Sequence, residues 1–178
     1  MSIRFILSVF AALYLAVTPM QSAAQDVAAD FAQMPRNLIM EFSNNKGDTW
    51  AQIYRGKKRG MYVVDSFRGN GSLRFTAYFG LDGHLVRREY TNGNVRTFTP
   101  HHCGRVMGNC AYSYNNTQGN SGSGTAKLTK KGKTYTYSWK IDGKTRKGRF
   151  TLGQFNIATS GRGADGVKWK LERMTVAN

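Results

Sequence analysis

Acidic residues are scarce in this chain, which carries 10 Asp and Glu against 26 Lys and Arg and has a formal net charge of +16. A glycosidase needs two facing carboxylates, and the sequence offers only distant pairs such as Asp65 with Glu89. Motifs for phosphate loops, dinucleotides, calcium loops, zinc-binding helices and serine-hydrolase elbows are also missing. The composition therefore favours a non-enzymatic protein, and we predict no catalytic residue, cofactor or metal.

Cysteine is almost absent, since Cys103 and Cys110 are the only two. A close, even pair in an exported chain predicts a disulfide. A metal or redox site built from His101, His102 and Cys103 is the alternative. It is disfavoured because adjacent residues on a strand point to opposite faces, and because the cysteine spacing matches neither zinc nor thioredoxin motifs.

Long apolar runs are missing after residue 24. Before it, Arg4 precedes the apolar run 5–17, and Ser22 and Ala24 occupy the −3 and −1 positions of a cleavage site. That run is too short to span a bilayer and is typical of an export signal. We therefore predict that residues 1–24 are a cleaved signal peptide. The mature protein, starting near Gln25, is expected to be soluble, without a transmembrane segment, and periplasmic or secreted.

Apolar and polar residues alternate along most of the remaining chain. Residues 25–36 form an amphipathic lead-in, with Val27, Phe31 and Ala32 near helical spacing before Pro35 ends it. From residue 37 the period is two, and turn dipeptides such as Asp82-Gly83 and Asn92-Gly93 favour hairpins. This pattern predicts strands near 37–43, 49–56, 61–68, 72–79, 84–90, 94–100, 110–115, 124–131, 133–141, 144–152 and 166–174.

The predicted strands indicate a single all-β domain over residues 37–178. About ten sequential antiparallel strands would expose edges unless they close, so we predict a meander-type barrel, with a two-layer β-sandwich as the alternative. The segments 115–124 and 160–166 are rich in Gly, Ser and Asn and are predicted to be flexible loops. No composition shift divides the domain.

Basic residues are concentrated in two places. One cluster lies on a turn and contains Arg55, Lys57, Lys58 and Arg59; the other crowds two hairpins and contains Lys127, Lys130, Lys131, Lys133, Lys144, Arg146 and Lys147, with Lys140 and Arg149 beside them. Antiparallel pairing would place these like charges side by side, where a bound anion relieves repulsion. We predict an anion-binding face for an anionic envelope component, an acidic polysaccharide or nucleic acid. The alternative is that the lysines protect strand edges from aggregation.

Aromatic and histidine residues support a second hypothesis. Tyr135, Tyr137 and Trp139 share one strand face, which favours core packing over an exposed stacking platform. A small hydrolase or ligand-binding barrel could instead carry His101 or His102 near the mouth of a pocket, with the cysteine ring at its rim. A hydrolase would need an acid, such as Asp65 or Glu89, within hydrogen-bond reach of a histidine.

Overall fold

Twelve antiparallel strands close into one barrel in the computed structural model, which describes residues 27–141 and 143–177. The strands are β1 (Leu38–Asn44), β2 (Thr49–Lys58), β3 (Met61–Arg68), β4 (Leu73–Phe79), β5 (Leu85–Tyr90), β6 (Val95–Thr99), β7 (Gly108–Asn116), β8 (Ser121–Lys131), β9 (Thr134–Ile141), β10 (Lys144–Leu152), β11 (Ala158–Arg162) and β12 (Lys168–Val176). Two short 3₁₀ turns lie at Cys103–Arg105 and Gln154–Asn156.

Each strand pairs with its sequence neighbours, and pairing of β1 with β12 closes the meander. The predicted all-β barrel is therefore confirmed and the sandwich alternative is excluded, although the strands number twelve rather than about ten. The predicted signal peptide lies outside the described residues.

Both segments predicted to be flexible loops contribute to the sheet. β7 continues to Asn116 and β8 begins at Ser121, so most of segment 115–124 is a hairpin. Segment 160–166 overlaps β11, the strand that the sequence pattern missed. Glycine and serine obscured these strands because they hide the alternation of large and small side chains.

Inward-facing glycines explain why such glycine-rich segments form strands. A Cβ atom on Gly124 would lie 2.7 Å from Cζ of Tyr112, and one on Gly161 would lie 2.5 Å from Cζ2 of Trp169. The aromatic ring therefore covers the glycine from the neighbouring strand, where no side chain would fit. Four direct cross-strand partners share this arrangement: Tyr114 with Gly122, Tyr112 with Gly124, Tyr137 with Gly148, and Trp169 with Gly161.

Residues 27–36 cover one end of the barrel, which we call the plugged end. The backbone N–H of Val27 donates to the carbonyl of Arg105 at 3.1 Å, and that of Asp30 donates to Phe155 at 2.9 Å. Phe31 is 4% exposed, and its ring centroid lies 4.6 Å from that of Phe79. In the described part of the lead-in Val27, Phe31 and Met34 are buried whereas Ala32 is exposed, and the chain forms isolated turns rather than a helix.

Arg105 fastens this plug from inside. Its guanidinium donates to the carbonyls of Val27 at 3.4 Å and Asn156 at 3.2 Å, and lies 4.8 Å from the ring centroid of Phe150. Burial lowers the pKa of Arg105 to about 10, and the side chain still remains charged at neutral pH. The lead-in is thus attached both by apolar packing and by hydrogen bonds to its backbone.

The predicted disulfide is confirmed. Cys103 and Cys110 are bonded, with their Cα atoms 5.7 Å apart, and no free cysteine occurs among the described residues. Cys103 is 1% exposed, so the bridge ties the first 3₁₀ turn to the start of β7 inside the core. Residues 101–107 are thereby held against the plugged end.

Truncating Phe31 should destabilise the whole barrel. Phe31→Ala removes a ring that packs on Tyr54, Tyr62 and Phe79, and should lower the free energy of unfolding by about 3 kcal/mol. Leu81→Ala is the control, because Leu81 is 63% exposed and should change stability by less than about 0.5 kcal/mol. Urea unfolding followed by tryptophan fluorescence measures both. If Phe31→Ala lowered the free energy of unfolding as little as Leu81→Ala, the plug would not contribute to stability.

Candidate functional site

The outer surface of β8, β9 and β10 carries only Ser, Thr, Lys and Arg, and we call it the lysine face. Small hydrophobic and aromatic residues of these strands, such as Leu128 and Tyr135, are buried on the other side of the sheet. The basic residues of the lysine face are Lys127, Lys131, Lys140, Lys147 and Arg149. The pattern makes one broad, hydroxyl-rich cationic surface.

Register separates most of these charges. Ser138 lies between Lys127 and Lys147, whereas Lys140 lies between two threonines, Thr125 and Thr145. The expectation that the lysines would stand directly side by side is therefore wrong for these residues. Charges two strands apart are about 10 Å from one another, which is close to the screening length of physiological salt. The hydroxyl residues thus prevent Lys127, Lys140 and Lys147 from being direct cross-strand partners.

Arg149 is the exception, since it stands directly opposite Arg162 of β11. These two arginines line a groove of about 450 Å³ that extends the lysine face across β11 and β12. Lys168 and Lys170 also line it, together with the hydroxyl residues Ser43, Thr134, Thr151 and Ser160. The groove offers cations and hydroxyls to an anionic or sugar-like group.

Other predicted basic residues do not belong to the lysine face. Lys130, Lys144 and Arg146 lie opposite Tyr135, Ile141 and Trp139 and so share the inner side of the sheet, near the strand ends. All three are exposed, and Nζ of Lys130 lies 5.4 Å from the ring centroid of Tyr135. Lys133 is in the turn between β8 and β9.

The cluster Arg55, Lys57, Lys58 and Arg59 lies on the opposite side of the barrel. It occupies the β2–β3 hairpin, and β3 is six strands from β9 in the ring of twelve. Arg55 is engaged with Asp65, with 2.7 Å between Nε and the carboxylate. The two predicted clusters therefore do not form one surface.

Carboxylates are segregated from the lysine face. Strands β6 to β11 contain no acidic residue, whereas β1, β3, β5 and β12 each contain one. Those four are ion-paired on the outer surface: Glu41 with Arg173, Asp65 with Arg55, Glu89 with Arg87, and Glu172 with Lys170. The hydrogen bond from Arg173 lowers the pKa of Glu41. Four cations of one half of the barrel are thus ion-paired, whereas the strands of the other half have no acidic residue to pair with.

A cavity of about 290 Å³ lies inside the barrel. Its walls are largely apolar and aromatic and include Met40, Phe42, Trp50, Phe75 and Trp169. The polar side chains in its lining are Gln52, Arg88 and Arg105. Apolar walls with a few polar groups are typical of a small-molecule site, and this volume is near the lower end of the usual range.

His102 enters the barrel from the plugged end. Its ring centroid lies 5.0 Å from Phe98, 4.9 Å from Tyr112 and 5.4 Å from Trp139. Its Nδ1 accepts a hydrogen bond from the backbone N–H of Gly104 at 3.1 Å. Burial, followed by the charges of Arg88, His101 and Arg96, lowers the pKa of His102 to about 4. The imidazole is therefore neutral at physiological pH.

The histidines are not near the acids that the hydrolase hypothesis considered. Asp65 accepts from Thr76 and Arg55, and Glu89 accepts from Tyr78 and pairs with Arg87. Both carboxylates belong to the outer surface, whereas His102 contacts interior rings. The structure therefore does not bring these predicted partners together.

Among the described residues, Asp82, His84 and His101 form a group whose ligand atoms could hold a metal, since these atoms lie within 4.8 Å of one another. The rings of His84 and His101 are stacked, with centroids 4.3 Å apart and planes 12° from parallel. The Asp82 carboxylate also accepts from the His84 backbone N–H. Tetrahedral zinc would need ligand atoms about 3.3 Å apart, with lone pairs converging on one point. Parallel stacked rings do not converge in this way, so a ring would have to rotate.

Comparisons with known proteins assign no family. No protein-family model and no curated protein matches the chain. Among solved structures, the fold is similar to the crystal structure of the hypothetical lipoprotein YmcC from Escherichia coli (K12). The TM-score is 0.41 and the identity 10%, over 89% of this chain and 92% of that one. Similarity at this level indicates neither a family nor a function. Within the described ranges, no helical segment has the length and hydrophobicity required to span a bilayer.

Acidification should destabilise the barrel through His102. Because its folded pKa of about 4 lies below its ordinary value of 6.5, the unfolded chain binds the proton first. Stability is therefore lost as the pH falls from 6.5 towards 4, by about 2 kcal/mol between pH 7 and pH 5. Urea unfolding of wild type and His102→Gln over this range measures the effect. The variant should lose most of the pH dependence; identical profiles would contradict the assignment.

Proposed function

We propose that the protein is an exported, non-enzymatic binding protein that attaches to acidic polysaccharide or a similar anionic envelope polymer through its lysine face. The observation that carries the proposal is the segregation of charge around the barrel. Between Tyr90 and Ala164 the sequence holds twelve Lys and Arg and a single acidic residue, Asp142. The cations on β8 to β10 thus have an extended surface free of competing carboxylates.

The chemistry of the lysine face favours a polymer of charged sugars over single-stranded nucleic acid. Bases bind single-strand sites largely by stacking on exposed aromatic rings. On β9 the aromatic residues Tyr135, Tyr137 and Trp139 share the inner side, and the outer positions are threonine, serine and lysine. Hydroxyl groups and separated cations suit sugar hydroxyls and carboxylate or sulfate groups. The adjoining groove adds Arg149 and Arg162, which are direct cross-strand partners.

The predicted export of the protein supports such a partner. The apolar run 5–17 and the small residues before Gln25 indicate export through the general secretory route, to the periplasm or beyond. The polyanions available there are acidic polysaccharides, lipopolysaccharide and lipid phosphates. A strong positive field attracts such partners and raises the rate of encounter.

Charge removal at the lysine face provides the test. The triple variant Lys127→Gln, Lys140→Gln and Lys147→Gln should bind polygalacturonate roughly 10-fold more weakly than wild type, since each exposed contact contributes a fraction of a kcal/mol. Its affinity should also depend less steeply on salt, because fewer counter-ions are exchanged on binding. Binding to immobilised polygalacturonate over a salt series measures both quantities.

The matched control is the triple variant Lys57→Gln, Lys58→Gln and Arg59→Gln. It also removes three positive charges, but from the opposite side of the barrel. Its affinity should stay within about threefold of wild type, since screening weakens charges farther than about 8 Å from the polymer. An equal loss in both triple variants would show that only net charge matters and would refute the proposal. Tighter binding to oligo(dT) than to polygalacturonate would refute the assigned class of polymer.

A further inference from the structure

Two arginines point into the barrel beside one another. Arg88 of β5 and Arg96 of β6 are direct cross-strand partners. Arg88 is also the partner of Ala77, which is 3% exposed, and its guanidinium lies 5.0 Å from the ring centroid of Phe75. The guanidinium of Arg96 lies 4.8 Å from the ring centroid of Tyr114. Like charges directly opposite one another on neighbouring strands are destabilising.

Among the described residues, no carboxylate forms an ion pair with Arg88 or Arg96. The acidic residues of the described strands, Glu41, Asp65, Glu89 and Glu172, are all ion-paired on the outer surface. Arg87, the next residue along β5, shows the contrast, because Glu89 lies 2.8 Å from its guanidinium. The inward pair therefore carries two positive charges in a partly buried place without a counter-ion from the described chain.

Hydrogen bonding is also incomplete there. The Nε atoms of Arg88 and Arg96 and the Nε1 atom of Trp139 are buried, and none has a hydrogen-bond partner among the described residues. The Nε atom of Arg87 shares this property, but its guanidinium has a counter-ion. Buried donors left unpaired cost free energy, and buried cations cost more. The aromatic rings of Phe75 and Tyr114 stabilise the guanidinium groups by cation–π contact, but they do not accept hydrogen bonds as a carboxylate would.

The arginine pair adjoins the apolar cavity. Arg88 lines that cavity together with Phe75, the ring on which it lies, and with Met40, Trp50 and Trp169. His102, whose pKa both arginines lower, is close to the pair and neutral, so it adds no further charge. The interior thus offers a cationic end and an apolar chamber to one molecule.

We propose that the barrel interior binds a small amphipathic organic anion. Its carboxylate or phosphate head lies between Arg88 and Arg96, and its apolar body occupies the cavity lined by Trp50 and Trp169. A bidentate, planar donor such as guanidinium suits both head groups. This site is separate from the lysine face, and neither proposal depends on the other.

Binding of matched ligands tests the proposal. Decanoate and decyl phosphate should bind, whereas 1-decanol, with the same chain and no charge, should bind roughly 10- to 100-fold more weakly, as expected for hydrogen bonds to charged groups. Isothermal titration calorimetry measures affinity, and fluorescence of Trp50 and Trp169 reports occupancy of the cavity. A tenfold preference for one anion identifies carboxylate or phosphate as the natural head group. Equal affinity for decanol and both anions would overturn the proposal.

Variants of the two neighbouring arginines on β5 provide the control. Arg88→Met should weaken anion binding at least tenfold and leave decanol binding within threefold, whereas Arg87→Met, on the outer surface, should change neither. An equal loss of anion binding in both variants, or no loss in Arg88→Met, would overturn the proposal. Near-ultraviolet circular dichroism confirms that both variants are folded.

Stability of the ligand-free protein separates a binding role from a structural one. Arg88→Met relieves repulsion from Arg96 and should raise the urea midpoint of the ligand-free barrel, as expected where a binding site sacrifices stability. Decanoate should raise the midpoint of wild type more than that of the variant. A lower midpoint in ligand-free Arg88→Met would show that the arginine is part of the core, and would overturn the proposal.

Discussion

Pairing of β1 with β12 is the contact on which the rest of this structure depends, because it turns an open meander into a closed barrel. Closure gives every strand one side that faces other side chains and one that faces solvent. Because successive side chains along a strand point to opposite sides, a shift of one position would exchange the two sides. Leu38, Met40 and Phe42 on β1 hold the register, since all three are buried.

In the closed barrel, acidic and basic residues are distributed unequally around the ring of strands. Acidic residues on β1, β3, β5 and β12 neutralise arginine and lysine on the same outer surface, whereas β6 to β11 have none to offer. The cations on β6 to β11 face either the solvent or the interior of the barrel. Lys127, Lys140 and Lys147 face solvent between hydroxyl residues, and Arg96 faces inward with Arg88. The barrel thus has two anion-attracting places, one on its outer surface and one inside it where Arg96 meets Arg88 of β5.

Much of the fold could be predicted from the sequence. Alternation and turn dipeptides located eleven of the strands, and cysteine spacing located the disulfide, because both signals are local. The pattern does not predict β11, because Gly161 and Ser160 hide the alternation of apolar and polar side chains. The position of this strand is set by Trp169 on the neighbouring strand β12.

The candidate sites depend on longer-range relations. The cavity needs side chains from opposite walls of the barrel, and the pairing of Arg88 with Arg96 depends on register across a turn. The sequence shows both arginines, and their alternation with Arg87 and Thr97 was the one signal that could have placed them inside. The local density of basic residues points instead to the lysine-rich hairpins, and Arg88 and Arg96 lie outside them.

The unequal distribution of charge around the barrel has a consequence for its orientation. Because the surplus lies on one side rather than at one end, the molecule has an electric dipole directed across the barrel axis. A negatively charged layer would turn that side towards itself before contact. The barrel would then lie lengthwise on the layer with neither end against it, and attachment would leave the end opposite the plugged end facing the surrounding solution.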